Sequence, residues 1–189
     1  MPRKHQLPKI LESQVVASST LFEIDSRLVQ FSNGAKRRLE RIKGRLGSTV
    51  LIVPLLDREM LILIREYCAG THTYELTFPT GTIGRDEAIE EAADRELKEE
   101  VGFGAKRISW IKKLSVLPGH FEHETYIVLA EQLVPERALG DEPEEPTTVR
   151  WPVVDICALL QGGEFTEARS VAALLLVERL LKFRAAEDI

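Results

Sequence analysis

The chain has 189 residues, enough for one domain of ordinary size with a small appendage. A hydrophobic fraction of 44% beside 29% charged residues is that of a soluble globular protein. The formal charge of -5 argues against a general nucleic-acid or membrane-surface binder, and is compatible with a small anionic substrate where a cation intervenes.

In chain order, "MPRKHQLPKILESQ" is charged, with no apolar stretch of signal-peptide length, and no later run approaches the length of a membrane span. "QVVASSTLFEI" and "SRLVQFS" are short β-prone runs, separated by Asp25 and ended by Asn33-Gly34. "AKRRLERIKGRLG" has few apolar positions and reads as a surface helix or a loop. "STVLIVPLL" and "MLILIREY" flank "DRE" and predict a hairpin, with the near-continuous apolar runs of strands covered on both faces. "YELTFPTGTIGRD" predicts a strand that ends in a loop with Pro79, Gly81 and Gly84. A helix follows from about Glu87 to Val101, with Asp86 as its N-cap and Glu87, Glu90 and Glu91 at the positive end of its dipole.

"RISWIKKLSVL" and "ETYIVLAEQL" predict two more strands, and "PERALGDEPEEPTT" an acidic loop. "VRWPV" is a short strand and "VDICALLQGG" a short helix closed by glycine. "TEARSVAALLLVERLLKF" is a helix whose Leu174, Val177 and Leu181 repeat at core spacing. This order suggests a mixed sheet sandwiched by helices. Two isolated cysteines, Cys68 and Cys157, make neither a disulfide framework nor a zinc site, and point to a reducing, cytoplasmic setting.

One stretch does not fit a bland reading. On a helix over 87–101, Ile89, Ala92, Ala93 and Leu97 form an apolar arc, Glu96 and Glu100 project inside it, and Glu99 lies at its edge. Glutamate-rich helices usually face solvent, which suits Glu90 and Glu91. Inward carboxylates need compensation, or they desolvate at large cost or take up protons. Arg95 reaches Glu99 at i,i+4, but one arginine does not neutralise three acids. A divalent cation does, and all-oxygen ligation favours Mg2+ or Mn2+ over zinc. The glycine loop before the helix permits close backbone approach to a metal or phosphate.

Gly81, Glu87 and the run Arg95-Glu96-Leu97-Lys98-Glu99-Glu100-Val101-Gly102-Phe103 match the Nudix box, G-x5-E-x7-R-E-U-x-E-E-x-G-U, with Phe103 at a position that is usually aliphatic. Beyond the box, "RLVQFSNG", "VLIVPLLDREMLILIREY" and "YELTFPTG" resemble the ADP-ribose pyrophosphatase branch. "GFGAKRISWIKKLSVLPGHF" and "LGDEPEEPTTVRWP" are most similar to the bacterial hydrolases of ADP compounds within it. The segment before the helix departs from the branch, with "TIGRDE" where a Pro-Gly-Glu turn is usual.

The resemblance implies an α/β Nudix α/β/α sandwich with a mixed sheet and an N-terminal antiparallel β segment. Residues 1–47 would form that segment, a dimer arm, and 48–189 the hydrolase domain. It implies Mg2+-dependent hydrolysis of the diphosphate in ADP-ribose, diadenosine triphosphate or reduced nicotinamide dinucleotide, releasing AMP, by a homodimer that binds neither nucleic acid nor membrane. Glu96, Glu99 and Glu100 would hold metal with a backbone carbonyl near Thr80, while Gly81, Glu87, Arg95 and Gly102 would shape the loop-helix unit. The general base would be a glutamate of the acidic loop, Glu142 first, then Glu144, with Glu145 a third candidate. Arg27, Phe31 and Arg65 are candidate substrate contacts, and Phe22, Tyr67 and His72 share their chemistry. His120 and His123 suit a surface or ordering role as well as catalysis. Two other readings stand beside this one: a Nudix hydrolase of another nucleoside diphosphate derivative, and an ADP-ribose sensor without turnover.

Overall fold

The structure is a computed structural model that describes residues 6–44, 47–140 and 142–187. In chain order its strands are β1 (Lys9–Ser18), β2 (Phe22–Gln30), β3 (Lys36–Gly44), β4 (Thr49–Leu56), β5 (Met60–Cys68), β6 (Thr73–Thr77), β7 (Thr80–Thr82), β8 (Phe103–Ser115), β9 (Phe121–Glu122), β10 (Glu124–Pro135) and β11 (Thr147–Pro152). The helices are α1 (Ile89–Glu96), which continues as a π-helical turn over Leu97–Val101, then α2 (Ile156–Gln161) and α3 (Ala168–Glu187). None is long and apolar enough to cross a membrane. The chain divides into two compact units, Met1–Gly47 with Ser115–Glu124, and Ser48–Leu114 with Thr125–Ile189. A division drawn at residue 47 alone does not anticipate the return of 115–124 to the first unit.

The first unit is a sheet of order β1-β2-β3-β9. Asn33-Gly34 turns β2 into β3, with Gly34 at φ +84° and the Ala35 amide donating to Asn33 Oδ1 at 3.0 Å. Two local expectations fail here. "KRRLERIKG" is a strand, not a helix or loop, because it pairs with β2 from Phe22↔Gly44 to Gln30↔Lys36, and that ladder overrides a weak local preference. Asp25 is no break; it lies within β2 and is 7% exposed. Its carboxylate accepts from Arg41 Nε at 2.8 Å and Arg27 Nη2 at 3.1 Å. The Arg41 hydrogen bond, aided by the charge of Arg27, holds its pKa below the ordinary value.

A depressed acid stabilises the fold above its unfolded pKa, and that contribution is lost as pH falls through the folded one. Asp25→Asn is therefore expected to cost about 2 kcal/mol at pH 7. The gap from the parent should shrink as pH drops below about 4. Denaturant titrations at pH 7 and pH 3 check this; an equal gap at both values would remove Asp25 ionisation from the account.

The second unit is a mixed sheet of order β11-β5-β4-β10-β8, with β6 beside β5 and β7 beside β4. β4 runs antiparallel to β5 and parallel to β10. Period-two alternation sorts the side chains. Leu51, Val53, Leu61, Leu63, Ile127 and Leu129 face one way, onto Ile156, Leu159, Leu174 and Val177 of α2 and α3. Val50, Ile52, Ile62, Ile64 and Val128 face the other, onto Ala92, Ala93 and Leu97 of α1 and its π-turn. Helices thus cover both faces, and the continuous apolar runs of β4 and β5 follow from that.

The helix of the acidic stretch starts later than expected. Its N-cap is Ala88, not Asp86, and Glu91 Oε2 accepts the Ala88 amide at 3.1 Å. Glu87 is drawn out of the first turn by the Gly84 amide, 2.8 Å away, and by Arg95.

Candidate active site

β7 and α1 are joined by a loop braced from within. Arg95 Nε donates to Glu87 Oε1 at 2.9 Å, and its Nη2 to Glu87 Oε2 at 3.1 Å and to the Thr82 carbonyl at 3.0 Å. Its Nη1 donates to Glu96 Oε1 at 2.7 Å and Glu99 Oε2 at 3.3 Å. One guanidinium therefore locks the loop and aims two helix carboxylates. Those bonds, and the Gly84 amide, hold the Glu87 carboxyl below its usual range. Gly81 is required by proximity: a Cβ there would stand 1.8 Å from Glu96 Cδ. Gly102, at φ +81°, ends the π-turn, and its amide reaches the Leu97 carbonyl five residues back at 3.1 Å.

Glu96 and Glu100 are buried, at 7% and 2% exposure. Each offers an oxygen that lies, with one from Glu142, within 4.8 Å of the other two. Burial is the main cause that pushes the Glu100 carboxyl up to about 9, with the charges of Glu66, Glu96 and Glu142 adding to it. The amide of Thr80, in β7, donates to Glu100 Oε2 at 3.2 Å and offsets only part of that. Burial also raises Glu96, against the pull of Arg95. Crowded oxygen-only donors, buried at Glu96 and Glu100, fit a divalent cation of the Mg2+ or Mn2+ type. Glu99 sits differently: its oxygen is on Arg95, and it is outside the trio.

The acidic loop separates its three candidates. Glu142 joins Glu96 and Glu100. Glu144 accepts from the Tyr74 hydroxyl at 2.5 Å, and Glu145 pairs with Arg137. Arg65 pairs with Glu164 at 2.9 Å. Arg27 and Phe31 belong to the first unit, Arg27 on Asp25 and Phe31 exposed at the end of β2. Tyr67 and His72 share a hydrogen bond of 2.9 Å, His123 stacks on Phe121, and Phe22 meets Phe121 edge to face. Sequence reasoning missed Glu66. This residue of β5 accepts from Thr77 Oγ1 at 3.3 Å, is raised chiefly by burial, and is the foremost charge acting on Glu100. The available signal was an acid at the end of an otherwise apolar strand, "LILIRE".

A braced glycine loop feeding buried glutamates on a helix, across a mixed sheet, defines a Nudix-type site. The NUDIX domain matches residues 45–174 and the NudE-type Nudix hydrolase N-terminal domain residues 8–41, so the chain belongs to the Nudix hydrolase family. It is 48% identical to the ADP compounds hydrolase NudE of Escherichia coli (strain K12), over 96% of this chain and 97% of that protein. It is 25% identical to the ADP-ribose pyrophosphatase of Bacillus subtilis (strain 168), over 88% and 92% of the two chains. A crystal structure of an ADP compounds hydrolase superposes with a TM-score of 0.89 at 47% identity, covering 96% of this chain and 98% of that one.

Proposed function

We propose that the chain hydrolyses the diphosphate bond of ADP-linked compounds, of the ADP-ribose, diadenosine polyphosphate and reduced nicotinamide dinucleotide type, and releases AMP with Mg2+ or Mn2+. The observation that carries the chemistry is the convergence of Glu96, Glu100 and Glu142 beside the loop braced by Arg95. The substrate class is supported by identity to the E. coli enzyme along 96% of the chain.

In this reading Glu96, Glu99 and Glu100, with the Thr80 carbonyl, hold the divalent cations. When bound, such cations offset the charge of a diphosphate and acidify water. Arg95 keeps Glu96 and Glu99 extended towards the site, and the Thr80 amide fixes Glu100. Glu142 takes the proton as water adds to phosphorus and the bridging P–O bond breaks. Arg65, in the same unit as the acid cluster, contacts the substrate. AMP release from ADP-ribose, assayed over a dinucleotide panel with Mg2+ and with EDTA, tests the reading. Turnover that needs the metal supports it; ADP-ribose binding without AMP release makes the chain a sensor, and hydrolysis confined to other nucleotides moves it elsewhere in the family.

The assignment of the base is separable. Glu142→Gln is expected to lower kcat by roughly a hundredfold or more with little change in Mg2+ affinity. Glu144→Gln and Glu145→Gln should change it only a few-fold, because their carboxylates are taken by Tyr74 and Arg137. Profiles of kcat against pH for the three variants decide; a Glu142→Gln enzyme with near-parent kcat would send the base elsewhere.

A homodimer formed through the N-terminal sheet is part of the same proposal. β1 is an edge strand, exposed along its length, and displays Ile10, Val15 and Val16. Such an edge calls for a partner. Sedimentation velocity at micromolar concentration should give a dimer, and a fully active monomer would sink this part. Cys68 and Cys157 are unpaired, as suits a cytoplasmic enzyme.

A further inference from the structure

The β4–β5 hairpin has Glu66 near one end and turns over Asp57–Glu59 at the other, six residues and on the order of 20 Å along the strand. Beside the turn, within the second unit, lies a cleft of about 490 Å3. Leu55, Val153 and Leu181 give it an apolar lining, while Arg58, Arg107 and Arg184 surround a single acid, Glu131. Arg184 Nη1 donates to both Glu131 oxygens, at 3.0 and 3.2 Å, and Arg107 Nε stands 3.6 Å from Oε2. Arg58 makes no ion pair among the described residues. Lys182, also lining the cleft, is paired with Glu178 at 2.6 Å. Three guanidiniums thus line a cleft that holds one carboxylate, and two of them engage it, in a chain whose formal charge is -5.

Of the five non-glycine residues with positive φ among those described, three are Asp57 (+49°), Arg58 (+62°) and Gln132 (+56°). All three line the recess that continues the cleft past Arg107 and Glu131. Asp57 and Arg58 are the left-handed pair of the β4–β5 hairpin turn, closed by the Glu59 amide on the Leu56 carbonyl at 3.1 Å, so Arg58 is presented from a defined turn. Guanidinium forks match phosphate oxygens, and an apolar lining suits a flat aromatic body. The volume falls within the roughly 300–1,000 Å3 of small-ligand sites.

We propose that this cleft is a second ligand site, for a nucleoside monophosphate, with its phosphate on Arg58 and Arg107 and its base against Leu55, Val153 and Leu181. Glu131 serves two ends: it holds Arg184 and Arg107 in place, and it offers an acceptor to ribose hydroxyls. The site shares none of the residues assigned to hydrolysis.

Calorimetric titration in EDTA with AMP, adenosine and inorganic phosphate tests this. The parent should bind AMP more tightly than either fragment, and binding should weaken with added NaCl. In Arg58→Ala/Arg107→Ala the affinity of that component should fall at least about tenfold, the loss of roughly one charge-assisted contact. Arg58→Ala alone, at an exposed turn, should show part of the loss with an unchanged melting temperature. With no AMP added, kcat/KM of both variants should stay within about twofold of the parent, as expected for residues remote from the acid cluster. AMP bound with parental affinity and stoichiometry by the double variant overturns the proposal. Inorganic phosphate binding as tightly as AMP, with adenosine inert, also overturns it, in favour of a free-phosphate site.

Discussion

Glu100→Gln is expected to lower kcat with Mg2+ by roughly a thousandfold or more, while the protein stays folded. Glu100 is 2% exposed, among the charges of Glu66, Glu96 and Glu142. Glutamine keeps the shape, and its amide oxygen can still accept from the Thr80 amide. It loses the negative charge that draws a cation into the site. Without metal that charge is not sustained: the carboxyl is buried among acids and holds a proton, so the parent draws no stability from it. The variant should therefore melt in EDTA at or above the parent temperature, and lose the Mg2+-dependent rise shown by the parent. That pairing separates a ligand from a core residue, for which stability and activity would fall together. Glu99→Gln is expected to lose activity by orders of magnitude too, because Glu99 shares Arg95 with Glu96. Near-parent turnover in either variant removes that residue from the ligand set.

Gly81→Ala is expected to reduce kcat by about a hundredfold, with a stability loss of only about 1 kcal/mol. The added methyl would meet Glu96 Cδ at 1.8 Å, Oε1 at 1.9 Å and Cγ at 2.3 Å. The backbone of Gly81 has little room to yield, since β7 is laddered to β4 through Gly81↔Val50. What moves is the far end of Glu96, a flexible side chain, so the fold survives. The displaced carboxylate leaves the trio and its 2.7 Å bond to Arg95. Gly84→Ala is the control: its methyl would stand 3.2 Å from Glu87, a contact that a small shift relieves. Comparable losses at both positions in steady-state assays and thermal melts would mean that general loop strain, not Glu96, is the cause.

The acidic stretch was legible because it is local. Helical periodicity alone turns Glu96 and Glu100 inward and leaves Glu99 at the edge, and the structure buries the first two and leaves Glu99 outside the trio. The hairpin of β4 and β5 was legible for the same reason: two unbroken apolar runs around a three-residue polar turn have few other folds. The spacing of Leu174 and Val177 in α3 likewise marked the side chains that reach the core.

What failed lay in partners distant along the chain. β3 has too few apolar residues to declare itself, and is a strand because β2 supplies a full ladder. Asp25 reads as a break, and is tolerated within β2 because Arg41, 16 residues on, bonds it. The helix begins at Ile89 because Arg95, eight residues away, claims Glu87. Among Glu142, Glu144 and Glu145 the sequence ranks Glu142 first by resemblance alone and gives no sign of their partners. In the structure Tyr74 and Arg137 engage Glu144 and Glu145, and Glu142 lies beside Glu96 and Glu100. The spacing of the box, the inward acids and the buried hairpin can be read along the chain, since each is a short-range pattern of period two or 3.6. Which charges neutralise which emerges only on folding, because charge compensation acts between side chains that the chain brings together after tens of residues.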